Sequence, residues 1–138
     1  MYRKLMESAV GARKNAYAPY SGYRVGAALL AEDGRIFTGC NVENAAYSPT
    51  LCAERVAVGK AVSEGATRFT AIAVVGGAGE RPSDTCTPCG VCRQVLAEFA
   101  SPELAIVVGS PDRYTVYTLA DLLPFSFGAG VPRRHRVD

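Results

Sequence analysis

Apolar and amphipathic positions recur at helical spacing near the start of the chain, at Leu5, Met6, Ala9, Val10 and Arg13. This predicts an opening helix over 2–17 that Pro19 stops. Two short apolar runs follow, at 25–31 and 36–42. Between them, Glu32-Asp33-Gly34-Arg35 carries an Asp-Gly pair, the strongest short-range hairpin signal, so the runs predict two antiparallel strands. The polar stretch 44–50, with Pro49 near its end, reads as a loop. From Cys52, CAERVAVGKAVSEG predicts a helix with Gly65 as its stop. Residues 69–75 are rich in β-branched side chains and too few for a helix, hence a buried strand. After a loop at 76–88, CGVCRQVLAEFA predicts another helix, 104–108 and 113–118 two further strands, and 119–123 a helical turn before Pro124.

The order α-β-β-α-β-α-β-β alternates strand and helix through its middle, which favours a mixed sheet covered by helices on its faces. The expected fold is α/β: a three-layer α/β/α sandwich with a mixed five-stranded sheet, in one domain over 1–138. At 138 residues the chain is long enough to bury a core without disulfides. A composition that is 49% hydrophobic and 20% charged excludes disordered, collagenous and coiled-coil classes. The net charge of +2 gives no electrostatic reason to expect nucleic acid as a partner. No uncharged stretch approaches a membrane span, so no membrane partner is expected. The charge-studded N-terminus lacks a secretory h-region, which points to the cytoplasm. In that reducing setting the five cysteines are expected to bind metal or do chemistry rather than pair.

Chemistry concentrates at two predicted helix starts. Cys89 and Cys92 stand three apart, on one helical face, and can converge on one metal. A helix's first turn, with its free N–H groups and dipole, stabilises thiolates, and Cys52 at the other helix start can supply a third ligand in the same way. Three thiolates with one open position is the pattern of a catalytic zinc site rather than a closed structural one. Glu54 lies two residues from Cys52, within reach of a water on the metal. Zinc lowers the pKa of such a water from about 15.7 to about 7, and a nearby carboxylate can take its proton and pass it to substrate. Three thiolates also leave the site negatively charged. Arg55, three residues after Cys52, is placed to offset that charge, whereas Arg93 points in another direction.

The ligand-x-Glu … Pro-Cys-x-x-Cys signature is that of the zinc deaminases. The chain resembles the small homotetrameric cytidine deaminases over most of its length. The resemblance is carried by Tyr-Ala-Pro-Tyr-Ser at 17–21, Val-Gly-Ala-Ala-Leu at 25–29 and Gly-Cys-Asn-Val-Glu-Asn-Ala-Ala-Tyr at 39–47. Cys-Ala-Glu-Arg at 52–55, Pro-Cys-Gly-x-Cys-Arg-Gln at 88–94 and Leu-Leu-Pro-x-x-Phe at 122–127 complete it. The resemblance implies one zinc per chain on Cys52, Cys89 and Cys92, with Glu54 as proton shuttle. It implies that Asn41 and Glu43 bind the ribose hydroxyl, a task suited to an amide that donates and accepts beside a carboxylate that accepts. That carboxylate would be a poor neighbour for phosphate, which favours a nucleoside over a nucleotide. Tyr23 stands where the family usually has Phe beside the pyrimidine, and Ala53 and Glu54 meet the base. Phe127 resembles the aromatic that reaches a neighbouring subunit's pocket, so the assembly implied is a homotetramer with composite active sites. Local apolar packing is the alternative for Phe127.

Cys86 also forms a C-x-x-C with Cys89, but it lies before Pro88 and off the predicted helix, so it reads as a loop thiol and Cys40 as a buried one. His135 lies in an arginine-rich ending that departs from the family, and 128–138 reads as a flexible tail. The activity implied is hydrolysis of cytidine and 2′-deoxycytidine in pyrimidine salvage. Rival readings are deamination of a cytosine-containing antibiotic such as blasticidin, deamination of a polynucleotide, and a structural zinc site in an interaction module. The near-neutral charge disfavours the polynucleotide, and a structural site ordinarily uses a fourth ligand and leaves Glu54 without a task.

Overall fold

The computed structural model describes residues 1–83 and 85–128. From residue 129 onward the expected tail, with His135, lies outside the described residues. Four helices and five strands follow one another as α1 (Arg3–Arg13), β1 (Arg24–Ala31), β2 (Ile36–Cys40), α2 (Ala53–Ser63), β3 (Phe69–Gly77), α3 (Gly90–Phe99), β4 (Ala100–Ser110), β5 (Arg113–Thr118) and α4 (Leu119–Leu122) among the described residues.

The strands form one sheet in the order β2-β1-β3-β4-β5. β1 runs antiparallel to β2 and β3, β4 antiparallel to β5, and β3 parallel to β4 through the α3 crossover. The sheet is therefore mixed and five-stranded, as the pattern implied. Gly34, at φ 91°, turns the β1–β2 hairpin in a conformation that residues with a Cβ seldom adopt.

Alternation along the central strands sorts side chains onto two faces. On one face Leu29, Ile72, Val74, Leu104, Ile106 and Val108 pack with Ala57 and Ala61 of α2, Leu96 of α3 and Leu119 of α4. On the other, Ala28, Ala71, Ala73, Val75, Ala105 and Val107 receive Leu5, Met6 and Ala9 of α1. Helices thus cover both faces, the larger side chains lie toward α2 and α3, and an alanine-rich surface lets α1 approach closely. No helix of the described residues is long and apolar enough to cross a membrane.

Three boundaries move for tertiary reasons. α1 ends at Arg13 rather than 17, because Tyr17 leaves the helix to pair with the chain beyond β2: its N–H donates to the Asn41 carbonyl at 2.9 Å and its carbonyl accepts from the Glu43 N–H at 2.9 Å. β2 ends at Cys40 rather than 42, and Val42 instead bridges Tyr17 and Leu51. β4 begins at Ala100, directly after α3, where Ala100 pairs with Phe69.

Candidate active site

Two helix starts come together above the edge of β2 and the end of β3. Cys52 and Cys89 are the residues immediately before α2 and α3, both extended (ψ 153° and 167°), and neither caps its helix with its side chain. The expectation that Cys89 sits in a first helical turn is corrected: only Cys92 does, while Cys52 and Cys89 stand at the caps. They still lie at the positive ends of the two helix dipoles. The Cys52 and Cys89 Sγ atoms are 3.9 Å apart, those of Cys89 and Cys92 3.6 Å, and all three fall within 4.8 Å of one another. Zinc–sulfur bonds of about 2.3 Å in tetrahedral geometry space sulfurs by about 3.8 Å, so this donor set fits zinc. Cys86 is not in the group.

The local charge bears on the thiols unequally. Cys52 is pulled down to about 5, by the hydrogen bond from Cys92 first and by Arg55 and Cys89 after it, against its burial. Cys92 is pushed up by that same hydrogen bond, by burial and by the neighbouring Glu54 and Cys52 charges. Arg55 donates through Nη2 to Cys52 Sγ at 3.6 Å and to the Thr50 carbonyl at 3.2 Å. Its Nε is buried and unpaired among the described residues.

Glu54, in the first turn of α2, is 4% exposed. Burial raises its carboxyl above the ordinary carboxylate range, and the Cys52 thiolate adds to the rise. Ala53 beside it is fully buried in the core. α2 can lie this low because Gly39 of β2 passes beneath its first turn: a Cβ there would overlap the Ala53 carbonyl oxygen and come 2.6 Å from the Ala57 nitrogen.

Asn41 is buried, and its amide ties two strand ends together. Nδ2 donates to the Tyr23 carbonyl at 2.8 Å and Oδ1 accepts from the Val25 N–H at 2.9 Å. One Nδ2 hydrogen is left over. Glu43 accepts from the Tyr20 and Ser21 N–H groups at 3.0 and 3.1 Å and from the Ser21 hydroxyl at 2.5 Å, which holds its carboxyl below the ordinary range. Beside it, a cavity of about 350 Å³ is lined by Tyr20, Ser21, Glu43, Asn44, Tyr47 and Thr50. Nothing in the sequence pattern marked the Tyr20–Ser21 turn as the support of Glu43, because the two segments meet only through the Tyr17–Asn41–Glu43 pairing. The Tyr23 ring and the Cys86 side chain close over Gly76 of β3, where a Cβ would come 3.0–3.1 Å from both. Cys86 is half-buried against the core and Cys40 is half-buried rather than fully so. Phe127 is 82% exposed, so local packing does not account for its ring.

Comparison with known proteins adds the family. Residues 1–108 match the cytidine and deoxycytidylate deaminase zinc-binding region. The chain belongs to this family. It is a hydrolytic deaminase with zinc as cofactor, and Cys52, Cys89 and Cys92 are the group positioned to hold the ion. A cytidine deaminase of Sporosarcina psychrophila is 50% identical over 128 residues, 90% of this chain and 89% of that protein. One from Mycobacterium tuberculosis (strain H37Rv) is 45% identical over 136 residues, 98% of this chain and 96% of that protein. The crystal structure of cytidine deaminase from Burkholderia pseudomallei superposes with a TM-score of 0.83 at 45% identity, covering 92% of this chain and 99% of that one. The Burkholderia pseudomallei structure thus shares the fold as well as the sequence.

Proposed function

We propose that this deaminase, as one domain acting in the cytoplasm, converts cytidine and 2′-deoxycytidine to the uridine nucleosides and ammonia in pyrimidine salvage. The observation that carries the reading is a buried carboxylate, Glu54, two residues from the first of three sulfurs spaced for zinc. Zinc held by Cys52, Cys89 and Cys92 supplies Lewis-acid activation of water. The residues around it supply the rest. Glu54 takes a proton from the attacking water and delivers it to N3 of the pyrimidine as the water oxygen bonds to C4. It then carries a second proton to the exocyclic nitrogen, the C4–N bond breaks, and ammonia leaves. A carboxyl raised by burial suits this two-way traffic, since it holds a proton more readily than an exposed one and can still give it up. Arg55 offsets the thiolate charge through Cys52.

Nucleoside rather than nucleotide recognition is supported by Glu43, whose depressed carboxyl stays ionised and would repel a phosphate. Its free lone pairs and the spare Nδ2 hydrogen of Asn41 serve the sugar hydroxyls, and Ala53 and Glu54 the base. Tyr23 flanks the ring. The chain is read as a homotetramer with composite sites. That reading is supported by exposed Phe127 and by Tyr47, 79% exposed at the mouth of the cavity beside Glu43.

The test is ammonia and uridine release from cytidine by the purified zinc-loaded protein, with Glu54→Ala alongside. The expected result is turnover by the wild type and a loss of about 10²–10⁴-fold in a variant that keeps its zinc. Absence of uridine from folded, zinc-loaded wild type discards the cytidine assignment.

A further inference from the structure

Arg93, the residue after Cys92, does not lie along a solvated helix face. Its backbone N–H donates to the Cys89 carbonyl at 2.9 Å and its side-chain Nε to the Pro88 carbonyl at 2.7 Å. The two carbonyls that bracket Cys89 are therefore both held by one residue. Pro88 is fully buried, so its carbonyl depends on a donor from the protein. The same guanidinium reaches away from the sulfurs: Nη1 donates to the Leu122 carbonyl at 2.8 Å, at the end of α4. Next to it, Gln94 Nε2 donates to the Phe127 carbonyl at 2.8 Å.

We infer that Arg93 is a positioning residue that sets the Pro88–Cys89 peptide, and with it the Cys89 sulfur, against the C-terminal segment 122–127. The planar fork of a guanidinium suits this role, because two N–H groups in fixed relation meet two carbonyls from different parts of the chain. A lysine ammonium carries its three rotatable donors on one nitrogen at the end of a flexible stem and lacks the fork that holds both carbonyls in a fixed relation. Gln94 extends the same link by five further residues, to Phe127. The inference rests on Cys89 as a zinc ligand, and it adds that the ligand's placement depends on a segment some thirty residues later, reached from the adjacent residues Arg93 and Gln94.

The test compares wild type with Arg93→Met, Arg93→Lys and Gln94→Met as full-length proteins. Each is read by zinc transfer to a chromophoric chelator, by the thiolate-to-metal absorption bands of the cobalt-substituted protein, and by kcat and KM for cytidine. Loss of a residue that orients a metal ligand costs about 10- to 100-fold in metal affinity or activity. Arg93→Met is expected to lose zinc within that range, to shift the cobalt bands and to lower kcat. Arg93→Lys is expected to fall between it and wild type. Gln94→Met is expected to leave zinc affinity and the cobalt bands alone, since it touches only the Phe127 end. Zinc affinity and cobalt bands in folded Arg93→Met equal to wild type would overturn the inference. Should Arg93→Met fail to fold, Arg93→Lys decides in its place, and wild-type behaviour there overturns it equally. A wild type that binds no zinc would instead remove the metal reading on which the inference stands.

Discussion

At the scale of single residues, the geometry separates groups that act on substrate from groups that hold others still. Glu54, buried in the first turn of α2, is proposed to be of the first kind. Asn41 belongs partly to the second, with two of its amide contacts spent on the start of β1. Glu43 shows how the roles combine: a carboxylate anchored by a turn presents its remaining lone pairs in a fixed direction. Its folded pKa lies below the ordinary 4.5, so its contribution to stability is present above 4.5 and is lost as the pH falls through the lower, folded value. Thermal melts across acidic pH are expected to show that loss in wild type and a flatter profile over the same window in Glu43→Gln. The pairing of Cys89 with Cys92 was legible from spacing, because helix periodicity is local, and Cys52 joined them through the motif. The anchoring of Glu43 by Tyr20 and Ser21 was not, because it joins segments some twenty residues apart.

At the scale of elements, the site depends on close approach. The start of α2, with Cys52 at its cap and Glu54 in its first turn, lies close above β2, and Gly39 is the reason it can. Gly39→Ala is expected to destabilise the fold by about 1–3 kcal/mol, the usual cost of overpacking, and to weaken zinc retention by tilting the start of α2. Chelator titration alongside thermal melts checks both parts. α4 is short and relies on its cap: Thr118 accepts from the Asp121 N–H at 3.1 Å while Asp121 accepts from the Thr118 N–H at 2.8 Å. Thr118→Ala is expected to cost about 1 kcal/mol, read as a lower denaturation midpoint. The hairpin and the start of α2 were visible in the pattern, since Asp-Gly turns and helix starts are short-range signals. The early end of α1 was not: helical propensity over 14–17 yields to the pairing of Tyr17 with residues 41 and 43, a contact with no local signature.

For the whole molecule, the metal group ties α2 to α3. Three closely spaced thiols repel one another once ionised, so removing zinc is expected to lower the melting temperature, and adding it back at about 1,000 times Kd to restore about 4 kcal/mol. Differential scanning fluorimetry with and without chelator checks this. For the proposed homotetramer, the exposed Phe127 ring leads us to expect that Phe127→Ala shifts the distribution toward smaller species in sedimentation velocity, and an unchanged distribution would remove that residue from the proposed interface. By itself the sequence determined the element order, the layered α/β class, the hydrophobic faces and the identity of the metal donors. The first three follow from periodicities and spacings within a dozen or so residues, and the donor set from the Cys-Ala-Glu and Pro-Cys-x-x-Cys motifs taken together. Only the tertiary structure decided that Cys52 lies 3.9 Å from Cys89, that Asn41 ties β1 to the end of β2, and that Arg93 joins the Cys89 turn to the chain's later segment. Such contacts join residues distant along the chain, and their distances are set by strand register and by how closely helices pack on the sheet, which no local pattern encodes.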